Sequence, residues 1–345
     1  MSPLILTIIL SSLATGTIIT LTSYHWLMAW VGLEMNTLAI IPVISTLHNP
    51  RSTEAATKYF LTQAAASAMI LFSSMINAWQ VGTWDITNLS SSPSHILLTL
   101  ALAMKLGLVP MHFWLPEVLQ GSTMVTSLIV TTWQKLAPMA LIYLTISNLS
   151  SVTLILLGLF SSVVGGWGGL NQTQTRKIMA YSSITHLGWM VVISSIMMNI
   201  MIINLLIYLI MSTALFCSLI YSKSKTIKDT SMSWTLSPTM TAMMMILFLS
   251  LAGLPPLTGF MPKWLILEEL VAQNLIPAAT MMALSALLSL FFYLRLTYTT
   301  ALTLSPNTTH TKFKWRFNLN QHVYLMMIPS TMSIFLLPMT PLILL

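Results

Sequence analysis

Long apolar stretches, each close to the length of a helix that crosses a bilayer, alternate along the whole chain with short polar or basic breaks. The pattern predicts eleven helices, at about 3–22, 25–46, 59–79, 96–118, 123–145, 150–171, 175–195, 198–222, 238–272, 275–300 and 323–343. The fourth and ninth runs contain internal prolines. Proline lacks an amide donor and crowds the preceding turn, so both runs are expected to be broken in mid-membrane. The first run has no basic stretch before it and no clear small-residue cleavage site, and it reads as a retained span rather than a signal peptide. With no soluble segment or linker, residues 1–345 read as a single membrane domain of the all-α polytopic class.

Charge placement sharpens the reading. Lys and Arg total 14 and Asp and Glu 7, so only 6% of the residues are charged, while 56% are hydrophobic; a soluble domain carries about a quarter charged residues. Mean hydropathy is +0.83. Disordered, secreted disulfide-rich and ordinary cytosolic classes are excluded. Eleven spans place alternate loops on opposite sides, and the side of the N-terminus then holds Arg51, Lys58, Arg176, Lys177, Lys223, Lys225, Lys228, Lys312, Lys314 and Arg316, with Arg295 near that end of the tenth span. The opposite connections carry only Asp85. Such asymmetry is what the positive-inside rule requires. The net charge of +7 forms no continuous stripe among aromatics, which argues against nucleic-acid binding.

Several chemistries are absent from the chain itself. The one cysteine, Cys217, cannot make an internal disulfide, an iron–sulfur site or a cysteine-rich zinc site, and reads as a small buried residue. The seven histidines show no metal-binding spacing. The glycines at 165, 166, 168 and 169 lack the strand-to-helix context of a phosphate loop and are better explained by close helix packing. No cofactor-binding or metal site is therefore expected here.

What remains is a set of ionisable side chains inside the predicted spans. Lys105, Lys135, Lys263 and Glu34 fall near mid-depth, where a charge costs several kcal/mol and by default marks an ion path. Snorkelling or a structural ion pair is the bland alternative, and Glu34 reads as the counter-charge to one of the lysines. Glu117 lies nearer a helix end, where capping competes evenly with function. His112 in the first break and His186 in the seventh span are equally well explained as satisfied buried histidines or as proton relays. His25, His48, His95, His310 and His322 fall in loops or near interfaces.

The two broken runs also match each other. Gly107-Leu108-Val109-Pro110 through Trp114-Leu115-Pro116-Glu117 and Gly253-Leu254-Pro255-Pro256 through Phe260-Met261-Pro262-Lys263 share one pattern, offset by 146 residues. A match between the fourth and ninth spans implies a five-helix repeat, residues 1–146 and 147–300, followed by a loop and final helix over 301–345. Five is odd, so the second copy enters the membrane inverted, an architecture used by ion-coupled transporters.

Trp30 through Asn36, the Asn49-to-Phe60 loop, Lys105 through Glu117, Asn171 through Ser183 and Leu251 through Trp264 together resemble the antiporter-like membrane subunits of respiratory complex I, in their mitochondrial form. The likeness runs nearly end to end and is loose only over 303–345. It implies a proton-translocating subunit in which Glu34, Lys105, Lys135 and Lys263 form a polar axis, with His112 and His186 as candidate relays. NADH, FMN, iron–sulfur clusters and ubiquinone are then used by the rest of the complex. Implied partners are other membrane-arm subunits, including neighbouring antiporter-like chains, and membrane lipids. Bacterial members carry three more N-terminal helices, so a neighbour is expected to cover the exposed flank. The resemblance also places the chain in the mitochondrial inner membrane, N-terminus in the matrix and C-terminus in the intermembrane space. The rival readings are a free-standing Mrp-like cation/proton antiporter and a scaffold whose buried charges only pair with each other.

Overall fold

The structure, a computed structural model, describes residues 3–235, 237–303 and 324–340. Among these the chain is helical throughout, with β-pairing limited to two isolated bridges. The helices are α1 (Pro3–Thr22), α2 (Trp26–Ile44), α3 (Pro50–Val81), α4 (Ser92–Leu106), α5 (Trp114–Gly121), α6 (Met124–Thr131), α7 (Leu136–Thr145), α8 (Ser151–Gly169), α9 (Thr175–Ser194), α10 (Met198–Ser222), α11 (Ile227–Met232), α12 (Pro238–Ala252), α13 (Phe260–Ala272), α14 (Ile276–Ala301) and α15 (Tyr324–Phe335). Six, namely α1, α2 with its continuation to Leu47, α3, α8, α10 and α14, are long and apolar enough to cross a membrane. The expected basic cluster Lys312, Lys314 and Arg316 and the end of the final span lie outside the described residues.

Two compact units are formed, Met1–Ser161 with Met190–Met198, and Ser162–Trp189 with Asn199–Leu345. In the first, α3 is central and packs on α2, α4 and α5, while α1 packs on α2 and α7. The α1–α2 crossing is close because glycines meet: a Cβ on Gly32 would stand 2.8 Å from the Gly16 carbonyl oxygen. At one end of this unit a bridge between His25 and Asp85 closes the long loop, with Trp26 donating to the Trp84 carbonyl at 3.1 Å. At the other end Lys58 pairs with Glu54 at 2.5 Å and with Glu117 at 2.7 Å. That contact sets the end of the fourth predicted span beside the start of the third, as alternating spans require. Hydrogen bonds to Glu117 and then Glu54 leave Lys58 pushed up to about 12.

In the second unit α14 packs on α11, α12 and α13. The glycines of α8 face its neighbours: a Cβ on Gly165 would stand 2.8 Å from Thr185, and one on Gly166 or Gly169 would stand 2.8 Å from Leu288 or Phe292. The glycine run is therefore a packing surface. Arg295 of α14 donates to the Leu170 and Gln172 carbonyls at 2.6 and 2.5 Å, satisfying orphan acceptors past the C-terminus of α8.

Helix α11, which hydrophobic patterning did not predict, is held by its cap. Thr226 accepts from the Asp229 amide, and the Asp229 carboxylate accepts from the amides of Lys225 and Thr226 at 3.0 and 2.9 Å. Burial alone would raise the Asp229 carboxyl, but these hydrogen bonds hold it below the usual carboxylate range. A group depressed by folding contributes stability above its unfolded value and loses it as pH falls through the folded one. Asp229→Ala is accordingly expected to weaken α11 by about 1 kcal/mol at neutral pH, with the difference from wild type vanishing in acid. Amide exchange over Ile227–Met232 at two pH values measures it.

Candidate functional site

Both predicted breaks are present, and they are built alike. In the first, α4 ends at Gly107, whose φ of +79° is open to glycine at little cost. The amides of Gly107 and Leu108 both bond back to the Ala103 carbonyl at 2.9 Å. In the second, α12 ends at Gly253 with φ +79°, and Leu254 donates to the Leu249 carbonyl, 146 residues further along. Each break holds a cis X-Pro bond, Val109-Pro110 and Pro255-Pro256. The chain then resumes as α5 and α13.

Each cut leaves carbonyls at a half-helix C-terminus without intrahelical donors, and the two units satisfy them differently. The Trp114 indole donates to the Met104 carbonyl at 3.1 Å. In the second unit Lys263, from the first turn of α13, reaches back and donates to the Ala252 carbonyl at 2.8 Å, with its ammonium 6.0 Å from the Trp189 ring centroid. A cation at a helix C-terminus is favoured by the macrodipole. Lys105 reaches the corresponding end of α4 from the helix itself, in its last turn.

Lys105 is 6% exposed, and its Nζ is buried without a hydrogen-bond partner. Glu34 lies close enough for its carboxylate to act on the lysine's charge. The expected Glu34 counter-ion contact is nevertheless not formed: Glu34 Oε2 is also buried without a partner, and among the described residues the ion pairs are those of Lys58.

A third discontinuity was not anticipated. The fifth predicted span is cut into α6, a 3-10 turn at Trp133–Lys135, and α7. Pro138 explains the position, since it has no amide to offer the Gln134 carbonyl and its ring crowds that carbonyl. Lys135, 5% exposed, ends the turn. Next to it, Gln134 accepts from the Tyr59 hydroxyl at 3.3 Å and donates to the Asn36 carbonyl at 3.3 Å, tying α3 and α2 to the turn. A cavity of about 10 Å³ lies here, lined by Lys105, Tyr59, Gln63, Gln134, Asn36 and Trp114 among others. Sequence reading missed this polar ring because an uncharged glutamine or tyrosine in an apolar run carries no signal of its own.

The histidines lie elsewhere. His112 is buried in the first break with Nδ1 3.2 Å from the Pro110 carbonyl and its ring against Phe113. In the second unit His186, 7% exposed, sets its ring 5.3 Å from that of Tyr208, whose hydroxyl is hydrogen-bonded to Ser183. Glu117 is half-exposed in its ion pair with Lys58.

Broken helices at buried lysines define an antiporter-like membrane subunit, and comparison with known proteins agrees. Residues 23–289 match the family described as NADH:quinone oxidoreductase/Mrp antiporter, and 290–344 match the NADH dehydrogenase subunit 2 C-terminus. The fold is shared with a chain of respiratory complex I from Thermus thermophilus with bound aureothin (TM-score 0.79, 24% identity, 96% of this chain and 78% of that one). It is shared likewise with a chain of the Mrp complex from Dietzia sp. DQ12-45-1b (TM-score 0.82, 16% identity, 96% and 74%). NADH-ubiquinone oxidoreductase chain 2 of Varanus timorensis is 52% identical over 99% of both chains, and that of Salmo salar is 54% identical over 99% of this chain and 98% of its own. The chain belongs to the NADH-ubiquinone oxidoreductase chain 2 family. It is thus a membrane-spanning subunit of an enzyme complex.

Proposed function

We propose that this subunit of the complex I membrane arm translocates protons across the mitochondrial inner membrane through Glu34, Lys105, Lys135 and Lys263, driven by NADH oxidation and ubiquinone reduction on other subunits. The observation that carries the reading is Lys105, a buried cation at the end of a broken half-helix with no fixed partner and an acid nearby. Such a group changes charge when its neighbour moves: desolvation favours the neutral amine and an approaching carboxylate favours the ammonium. Lys135 and Lys263 sit at the other two discontinuities, where backbone freed from helical bonding tolerates water. His112 and His186 serve as side branches of the path. Eleven spans in two inverted five-helix repeats are supported by the like-built breaks 146 residues apart. A scaffold is disfavoured because Lys105 Nζ and Glu34 Oε2 are both buried without partners, and leaving charge unpaired inside a fold costs more than an apolar replacement.

Other membrane-arm subunits, neighbouring antiporter-like chains and lipids are the partners in this reading, with the N-terminus in the matrix. Comigration with NADH dehydrogenase activity on a native gel, followed by proton uptake in reconstituted vesicles, tests it. Location has its own check. Asn88-Leu89-Ser90 and Asn148-Leu149-Ser150 are glycosylation sequons on the side opposite the N-terminus. Mass spectrometry of native protein is expected to find both bare, since the inner mitochondrial membrane is not exposed to that machinery. A glycan on Asn88 would place the chain in the secretory membrane instead.

A further inference from the structure

The polar ring beside Lys105 has the composition of a built site. Lys105 Nζ offers three donors and is satisfied by none of the protein groups around it. Asn36, 2% exposed, borders the same space, and its backbone carbonyl accepts from Gln134. Gln63, 3% exposed, lines the same space, as do the Tyr59 ring and Gln134. A buried ammonium without hydrogen bonds is among the most costly groups a fold can hold. The cavity they line, about 10 Å³, is about the least space that takes one water. Size, polarity and unmet donors point to the same occupant.

We propose that this cavity is a single-water site in which the water accepts from Lys105 Nζ, and that Gln134 is the positioning residue that fixes its orientation. The inference deepens the reading of Lys105 as a proton carrier and rests on it. Gln134 suits the role because its side chain is held at both ends, Oε1 by the Tyr59 hydroxyl and Nε2 donating to the Asn36 carbonyl. Oε1 has a second lone pair with which it can accept from a water. The residue also stands in the 3-10 turn that ends at Lys135, so a shift of that turn would turn the amide. The water would thereby register the state of the helix-five break at Lys105.

The test uses the intact complex. A map that resolves ordered water is expected to show one within hydrogen-bond distance of Lys105 Nζ in this cavity; a dry cavity in such a map overturns the proposal. Gln134→Leu keeps the bulk and removes both polar atoms. It should lower proton uptake per NADH oxidised about tenfold and change the solvent isotope effect on uptake, the latter being a readout that a packing defect would not move. Tyr59→Phe, which releases one end of Gln134 and keeps the ring, should have the smaller effect, about threefold. Should Gln134→Leu fail to assemble, the Tyr59→Phe measurement and the wild-type map still decide. Lys105→Met separates the two levels. If it pumps normally, the role of Lys105 itself falls; if it fails while Gln134→Leu and Tyr59→Phe pump with an unchanged isotope effect, only the water site falls.

Discussion

Replacing Lys105 with methionine is expected to leave the complex assembled and to abolish most of the proton uptake coupled to NADH oxidation. Methionine keeps the length and apolar bulk of the lysine stem, so the packing of α4 is preserved. It removes the titrating atom, and a positioned proton donor or acceptor contributes about a hundredfold or more to a transfer step. Glu34→Gln should give the same class of defect. The double variant should be little worse than either single one, since both changes disable one electrostatically coupled unit. Assembled-complex content, NADH oxidation and proton uptake in vesicles are measured side by side. Full pumping by an assembled Lys105→Met complex would assign the buried charge to structure alone.

The largest expected structural effect is at Gly259, where α13 begins. A Cβ added there would meet the Ser250 carbonyl oxygen head-on, and would stand 2.7 Å from the Ser250 carbonyl carbon and 3.3 Å from Met211 Sδ. The sulfur can move, but the carbonyl belongs to the last turn of α12 and cannot yield without pulling the break open. Overpacking at this level costs about 3 kcal/mol. Gly259→Ala should therefore deplete the assembled subunit severely, and any complex that does form should lose activity on heating at lower temperature. Wild-type content on a native gel together with wild-type heat resistance would show that the two half-helices do not meet as described.

Hydrophobic periodicity located most helices because a bilayer imposes one requirement on every span, about twenty apolar residues with all backbone groups bonded internally. Ten predicted spans through residue 300 correspond to helices or to interrupted helices in the structure. The breaks at Gly107 and Gly253 were visible because glycine and proline act on the backbone wherever they stand. Pro138 was visible too, yet the cut it causes at Trp133–Lys135 was not anticipated, since a single proline inside a membrane span is often tolerated, as Pro42 is in α2. Helix α11 was missed because six capped residues on the polar side of a loop have no apolar period to read.

For the site, the sequence by itself singled out Glu34, Lys105, Lys135 and Lys263, because a charge in an apolar run stands out against its surroundings whatever the fold. The one-sided basic loops also supplied an expected order and direction for the spans. Only the tertiary structure decided which groups meet. It holds Glu34 and Lys105 apart, gives Lys263 the Ala252 carbonyl, leaves Glu117 to Lys58, and links Tyr59 to the Asn36 carbonyl through Gln134. The reason is range. Insertion depth and backbone breaks follow from local composition, whereas a hydrogen bond between Tyr59 and Gln134 joins residues 75 positions apart and exists only once the helices have packed.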